Sequence, residues 1–270
     1  MNTKNAVTSF VVATALAVSS ASAAVSFSDS FETNTLGNYN ISAAPGDFSH
    51  SSTAGTAGAG GVAIAATGAA LPSLVHQTGF TLAAGESLDM SVLVQKSTQG
   101  YNGSSQLFLG ITSQSNDSFG GSTSPGNSAI GVIVNSFAQI GTRSSTGSGN
   151  NIGNFTPSGP FNLVNGNWYK ITTTLTKPTT GSDWTVSGQF QDWGSSGTSL
   201  VSTILTLPST TVPMASAAFN EATVTNYGEF GIRQPAWSGA DNFTFTSVPE
   251  PSAMALFGAG ALALGSRRRR

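Results

Sequence analysis

The side chains best placed to do chemistry here are carboxylates set among aromatic residues. Asp29 stands in "FSDSFE" and, by the two-residue period of a strand, shares a face with Phe27 and Phe31. Asp241, in "ADNFTFTSV", shares a face with Phe243 and Phe245 by the same count. A carboxylate beside an aromatic core is costly unless it is paired or bound to a metal. If the first and last strands pair antiparallel, Asp29 and Asp241 come together, and a structural calcium ion with its oxygen ligands would satisfy both. The competing reading ends each strand in water, or pairs an Asp with a base such as Arg233.

Flat aromatic faces are the second candidate chemistry. Trp168, Trp184, Trp193 and Trp237 could each stack on a sugar ring. Trp184 alternates with core residues, whereas Trp193 in "QDWGSSG" and Trp237 in "QPAWSGADN" sit in loop-like contexts. Trp193 and Trp237 are therefore the candidate glycan contacts, with packing onto a sheet edge as the alternative. His50 and His76 are isolated, without the spacing of a zinc site or of a base held by a carboxylate. Glu86 and Asp89 come nearest to a catalytic acid pair, but their odd spacing puts them on opposite strand faces. No catalytic residue is expected.

The elements that must position these groups are strands. Of 270 residues only 8 % are charged, well below the roughly 25 % of ordinary soluble domains. Yet 16 Phe and 4 Trp are spread along the chain, enough to build a core and unlike a disordered segment. The body sets Lys96, Arg143, Lys170, Lys177 and Arg233 against eleven acids, which argues against a nucleic-acid partner. With no cysteine there is neither a disulfide framework nor a thiolate metal site.

Short alternating segments between Gly, Ser, Asn and Pro clusters predict an all-β body, a single antiparallel sandwich over residues 24–247. The clearest pair is "NWYKITTTLT" and "WTVSGQF", joined by "KPTTGSD". In the first, Tyr169, Ile171, Thr173 and Leu175 share one face and Lys170, Thr172, Thr174 and Thr176 the other. Further strands are expected at 25–31, 87–95, 106–112, 129–135, 200–207, 227–233 and 242–248. Residues 43–71 read as a long loop with one weak strand, and 113–128 and 142–160 as polar loops.

Both ends carry transport chemistry. Residues 1–23 hold one lysine, an apolar run and Ala21-Ser22-Ala23, a signal peptide with cleavage expected after Ala23. Residues 248–270 contain Pro249-Glu250-Pro251, an apolar run from Ala253 to Gly265, and Arg267, Arg268, Arg269 and Arg270. As a transmembrane helix the run would cover only ~20 Å at 1.5 Å per residue, short of a ~30 Å hydrocarbon core. The arginines would stay on the cytoplasmic side, and the two prolines keep the stretch before the helix extended.

"VPEPSAMALFGAGALALGSRRRR" resembles a PEP-CTERM sorting signal, a tail module also known as an ice-binding-protein C-terminal motif, a label that does not imply ice binding. The resemblance implies Sec export, transient residence in the inner membrane and processing near Pro249 to Pro251 by an exosortase, a membrane transpeptidase of Gram-negative bacteria. It also implies delivery to the cell surface or an extracellular polysaccharide matrix. A plain tail anchor with a chance Pro-Glu-Pro is the alternative. The body, through "FSDSFE", "NGNWYKI" and "ADNFTFTSV", loosely resembles concanavalin-like or laminin-G-like sandwiches, folds that often bind glycans. Three functional readings follow: a non-enzymatic exported surface or matrix protein, a calcium-supported carbohydrate-binding module, and a divergent polysaccharide-degrading enzyme.

Overall fold

The computed structural model describes residues 24–42, 47–64, 73–98, 106–115, 128–135, 139–146, 150–153, 156, 163–213, 224–233 and 236–248. The strands, in chain order, are β1 (Ser26–Asp29), β2 (Tyr39–Ser42), β3 (Phe48–Ser51), β4 (Gly61–Ile64), β5 (Ser73–His76), β6 (Ser87–Lys96), β7 (Gln106–Thr112), β8 (Ser128–Asn135), β9 (Gln139–Thr146), β10 (Asn150–Gly153), β11 (Trp168–Thr176), β12 (Asp183–Asp192), β13 (Ser202–Pro213), β14 (Tyr227–Arg233) and β15 (Trp237–Val248). They form two antiparallel sheets. The first runs β13-β12-β11-β6-β15-β4-β3, with β1 also paired to β15; the second runs β10-β9-β8-β7-β14-β5-β2.

Alternation explains why these segments pair and stack. On β6, Leu88, Met90, Val92 and Val94 turn inward, and on β11 Ile171 and Leu175 do the same. Leu107, Leu109 and Ile111 of β7 and Ile130, Val132 and Val134 of β8 face them from the second sheet, and together they form one buried cluster. The sheets touch closely: a Cβ at Gly188 on β12 would come within 2.9 Å of Val132 on β8. Burying an aliphatic side chain in such a core is worth about 1.5–3 kcal/mol. The β11–β12 hairpin has the expected phase, Ile171 opposite Phe190 and Leu175 opposite Val186. The first and last strands do pair antiparallel, with Phe27 opposite Phe245 and Asp29 opposite Phe243.

Several regions depart from the sequence reading, among them the start of β15, at Trp237 rather than at 242. Residues 43–71 hold two strands, β3 and β4, joined through a one-turn 3-10 element at Thr56–Gly58. Their Gly, Ala and Ser content carries no readable alternation; β4 is held by the edge of β15, Ala63 opposite Gly239 and Val62 opposite Ala240. Within 142–160, β9 extends to Thr146 and β10 follows at Asn150–Gly153. These are polar strands completed by ladder hydrogen bonds rather than by a hydrophobic pattern. β2 and β5, four residues each, were not expected as strands and pair with each other in the second sheet. β13 runs on through Pro208 to Pro213, which a sheet tolerates at its edge strand.

The signal-peptide, sorting-tail and transmembrane-helix readings fall on residues 1–23 and 249–270, outside the described residues. Among the described residues no helix is long and apolar enough to cross a membrane.

Candidate functional site

Asp29 points inward, between the sheets. It is 7 % exposed; its Oδ1 accepts the Phe31 N–H at 2.8 Å and its Oδ2 accepts the Tyr39 hydroxyl at 2.9 Å. Tyr39 belongs to β2, so the second bond crosses from one sheet to the other. Burial and the Asp29 carboxylate push the Tyr39 hydroxyl far above its ordinary pKa, so it stays a donor.

Asp241 points the other way, and a β-bulge is the reason. Asp241 pairs with Leu93 and Thr244 with Ser91, so Asn242 and Phe243 together oppose Val92 alone. Asn242 takes up the extra residue in the left-handed region, at a φ of 52°. The two-residue period breaks there. Phe243 and Phe245 face the core, while Asp241 lies with Leu93 on the outer side of the sheet. There, buried to 1 % exposure, its Oδ2 accepts the Thr56 N–H at 2.8 Å and the Thr56 hydroxyl at 2.9 Å, and its Oδ1 accepts the Asn242 N–H at 2.7 Å. Burial pushes the Asp241 carboxyl above the usual range, these hydrogen bonds pull it back, and the Glu32 charge adds to the rise.

The expectation that Asp29 and Asp241 share a calcium ion therefore fails on geometry. The two carboxylates lie on opposite faces of one sheet, and protein donors already occupy the oxygens of each. Among the described residues no three His, Cys, Asp or Glu side chains cluster to hold a metal. Asp241 instead anchors a turn. Glu32 accepts the Gly60 N–H at 3.0 Å at the far end of that turn, and the Ala57 N–H donates to the Ser196 carbonyl at 2.8 Å.

That turn walls an open cleft of about 440 Å³ on the outer face of the first sheet, lined by Thr56, Leu93, Lys170, Trp193, Thr198 and Asn242 among others. Trp193 is half-buried, and its indole N–H donates to Gln191 Oε1 at 3.1 Å while Gln191 donates to Gln189 at 2.7 Å, which fixes the ring plane. Lys170 Nζ stands 4.9 Å from the centre of the Trp193 ring, in cation–π reach. Burial pushes the Lys170 ammonium below its usual pKa. The loop beyond Trp193 packs flat on Trp168: Gly197 has a φ of +70°, and a Cβ there would meet that ring at 2.8 Å.

A second groove of about 370 Å³ adjoins the cleft, with Ser91 and Thr244 lining both. Its other walls include Asp89, Thr172, Thr174 and Thr246. These side chains come from facing rows. Thr244, Ser91, Thr172, Gln189 and Thr206 lie opposite one another across five strands. Ser91 and Thr244 hydroxyls are 2.9 Å apart, and Thr174 donates to Asp89 Oδ1 at 2.6 Å. The surface is hydroxyl-rich and bounded at one end by an indole.

Of the two tryptophans chosen from the sequence, only Trp193 lies on this surface. Trp237 needs correction: it is 1 % exposed and packs inside, edge-on to Tyr169 at 6.4 Å and to Phe190 at 6.3 Å. It is a core residue of β15 and has no ring face to offer. Trp184 is buried, in keeping with its alternation. His76 lies against Phe27 at 4.1 Å between ring centres, and His50 bonds the Phe31 carbonyl at 3.1 Å. Sequence reasoning did not select Thr56, Lys170, Thr198 or Asn242 for this site. The one available signal was Lys170, already on the polar face of the hairpin.

Two face-to-face antiparallel sheets with a cleft on one outer face define a lectin-like sandwich of the concanavalin type. Solved structures with this fold include a basic winged bean lectin with Tn-antigen, 11 % identical over 84 % of this chain and 99 % of that one, at a TM-score of 0.50. Peanut lectin with a 9mer peptide is 11 % identical over 84 % and 98 % of the two chains, at a TM-score of 0.48. The T. cruzi calreticulin globular domain is 12 % identical over 90 % and 98 %, at a TM-score of 0.47. A PEP-CTERM protein-sorting motif matches residues 247–270. No curated protein sequence matches the chain significantly.

Proposed function

We propose that this chain is an exported, exosortase-processed surface or matrix protein whose sandwich binds polysaccharide without cleaving it. The half-buried ring of Trp193, fixed in plane over a cleft of hydroxyl and amide groups, is the observation that carries the binding reading. Such a cleft offers an apolar face to a sugar ring and donors and acceptors to its hydroxyls. The lectin-like fold agrees with this reading, and the sorting motif at 247–270 supports export and delivery outside the cell.

The lining supports binding over hydrolysis. Glycoside cleavage canonically uses two carboxyl groups roughly 5–9.5 Å apart across the scissile bond. Among the described residues the cleft is lined by no carboxylate, and the adjoining groove by Asp89 alone.

A glycan array probed with the mature chain tests the binding half. Trp193→Ala should lower the affinity for whatever polysaccharide is retained at least tenfold. Retention unchanged in that variant, or release of reducing sugar from the bound glycan, would overturn it. Mass spectrometry of the protein from its host tests the sorting half. A new N-terminus after Ala23 and a C-terminus near Pro251 are expected; a chain still carrying Arg270 in the inner membrane would sink the sorting reading.

A further inference from the structure

We propose that the cleft selects an acidic sugar, with the Lys170 ammonium pairing its carboxylate while Trp193 carries its ring, and that the adjoining Thr/Ser groove takes the neighbouring sugars of the same unbranched chain. This inference rests on the polysaccharide-binding reading and names the ligand class.

Charge placement points to an anion. Among the described residues Lys170 is the one cation lining the cleft, and its ammonium has no carboxylate and no hydrogen-bond acceptor there. Its described charge contact is the face of Trp193 at 4.9 Å. Its neighbours across the strands are neutral, Leu93 on β6 and Gln191 on β12. The nearest acid in that row is Asp241, two strands away and so roughly 9–10 Å off along the sheet. Both Asp241 oxygens are turned to Thr56 and Asn242. A partly desolvated ammonium held by an aromatic face but by no anion is costly, and an incoming carboxylate would offset that cost.

The groove's length and charge point to a chain. From Lys170 to Thr174 along β11 is ~13 Å at about 3.3 Å per residue, more than one sugar ring requires. Ser91 and Thr244 connect the two ends without a break. The far end carries Asp89, which repels a second carboxylate but accepts from sugar hydroxyls. An acidic sugar at Lys170 followed by neutral ones fits this polarity.

Titration calorimetry of the mature chain with hyaluronan, in which acidic and neutral sugars alternate, and with the same polymer after carboxyl reduction tests the inference. Hyaluronan should bind at least tenfold more tightly than its reduced form, and the margin should shrink on going from about 50 to about 500 mM salt as screening predicts. Kappa-carrageenan, sulfated on alternate sugars, against its desulfated form shows whether a sulfate serves in place of the carboxylate; preference for either acidic polymer over its neutral match supports an anionic sugar. Lys170→Gln should cut the preference below twofold and Lys170→Arg should restore it, with circular dichroism confirming that both are folded. Equal affinity for acidic and neutral polymers, or a preference unchanged in Lys170→Gln, overturns the acidic-sugar inference and leaves polysaccharide binding standing. Binding of no polymer, acidic or neutral, overturns both.

Discussion

Tyr39 and Asp29 tie the two sheets together through one hydrogen bond, the hydroxyl on β2 donating to the carboxylate on β1 at 2.9 Å. The bond is buried, and it lies beside the stacked rings of Phe27 and Phe245, 4.8 Å apart. A charge this close to the core is tolerated because the Phe31 N–H also points at it.

Tyr39→Phe keeps the ring, and its packing 5.8 Å from Phe31, but removes the donor. A buried carboxylate oxygen is then left short of a partner. The expected loss is about 2 kcal/mol, read as a lower urea midpoint at unchanged slope. A loss below about 0.5 kcal/mol would mean that the bond contributes nothing beyond an ordinary surface contact.

His76 should make the protein acid-sensitive. Burial among Phe27, Tyr39 and Phe245 lowers its pKa from 6.5, against opposing contributions from the Thr78 carbonyl and the Asp29 charge. The unfolded chain then binds the proton more readily than the folded one. Stability is present above pH 6.5 and is lost as pH falls through the lowered folded value. Melting temperature followed below pH 7 should decline less steeply in His76→Gln than in the parent; parallel curves would contradict this.

Asp241 has the opposite sign. Its carboxyl is raised above 3.8, so the folded state holds the proton more tightly than the unfolded chain. The stability this supplies is present below pH 3.8 and fades as pH rises through the folded value. Subtracting the unfolding free energy of Asp241→Asn from that of the parent should give a difference that falls as pH rises from about 3 to 6. A flat difference would show that Thr56 and Asn242 fully compensate the burial.

The two tryptophans singled out from the sequence should separate stability from binding. Trp237→Ala empties a core site against Tyr169 and Phe190 and should cost about 3–5 kcal/mol. Trp193→Ala removes a half-buried ring from an open cleft and should cost under about 1 kcal/mol while lowering glycan affinity at least tenfold. Similar losses in chemical denaturation would place Trp193 in the core energetics instead.

Strand by strand, legibility followed side-chain alternation. The β11–β12 hairpin could be read because Ile171, Leu175, Val186 and Phe190 recur on one face, and β7 and β14 were found to the residue for related reasons. β10 and one of the two strands in 43–71 escaped because Ser, Gly, Ala and Asn carry little hydrophobic pattern; their place is set by a neighbour's unpaired edge. The candidate site was read in part. Trp193, read as loop-like from its Gly/Ser context, is half-buried and lines the cleft, whereas Trp237 had a similar context and proved buried.

Local pattern alone therefore determined that this is an antiparallel sandwich with a sorting motif at its end, since period and motif act between near neighbours; the pairing of the first and last strands came from the fold. Tertiary structure decided the rest. One extra residue at Asn242 turned Asp241 from the core to the outer face, where it holds Thr56, 185 positions away, against the cleft. No count of residues along a strand locates such a bulge, because its position depends on register with the facing β6.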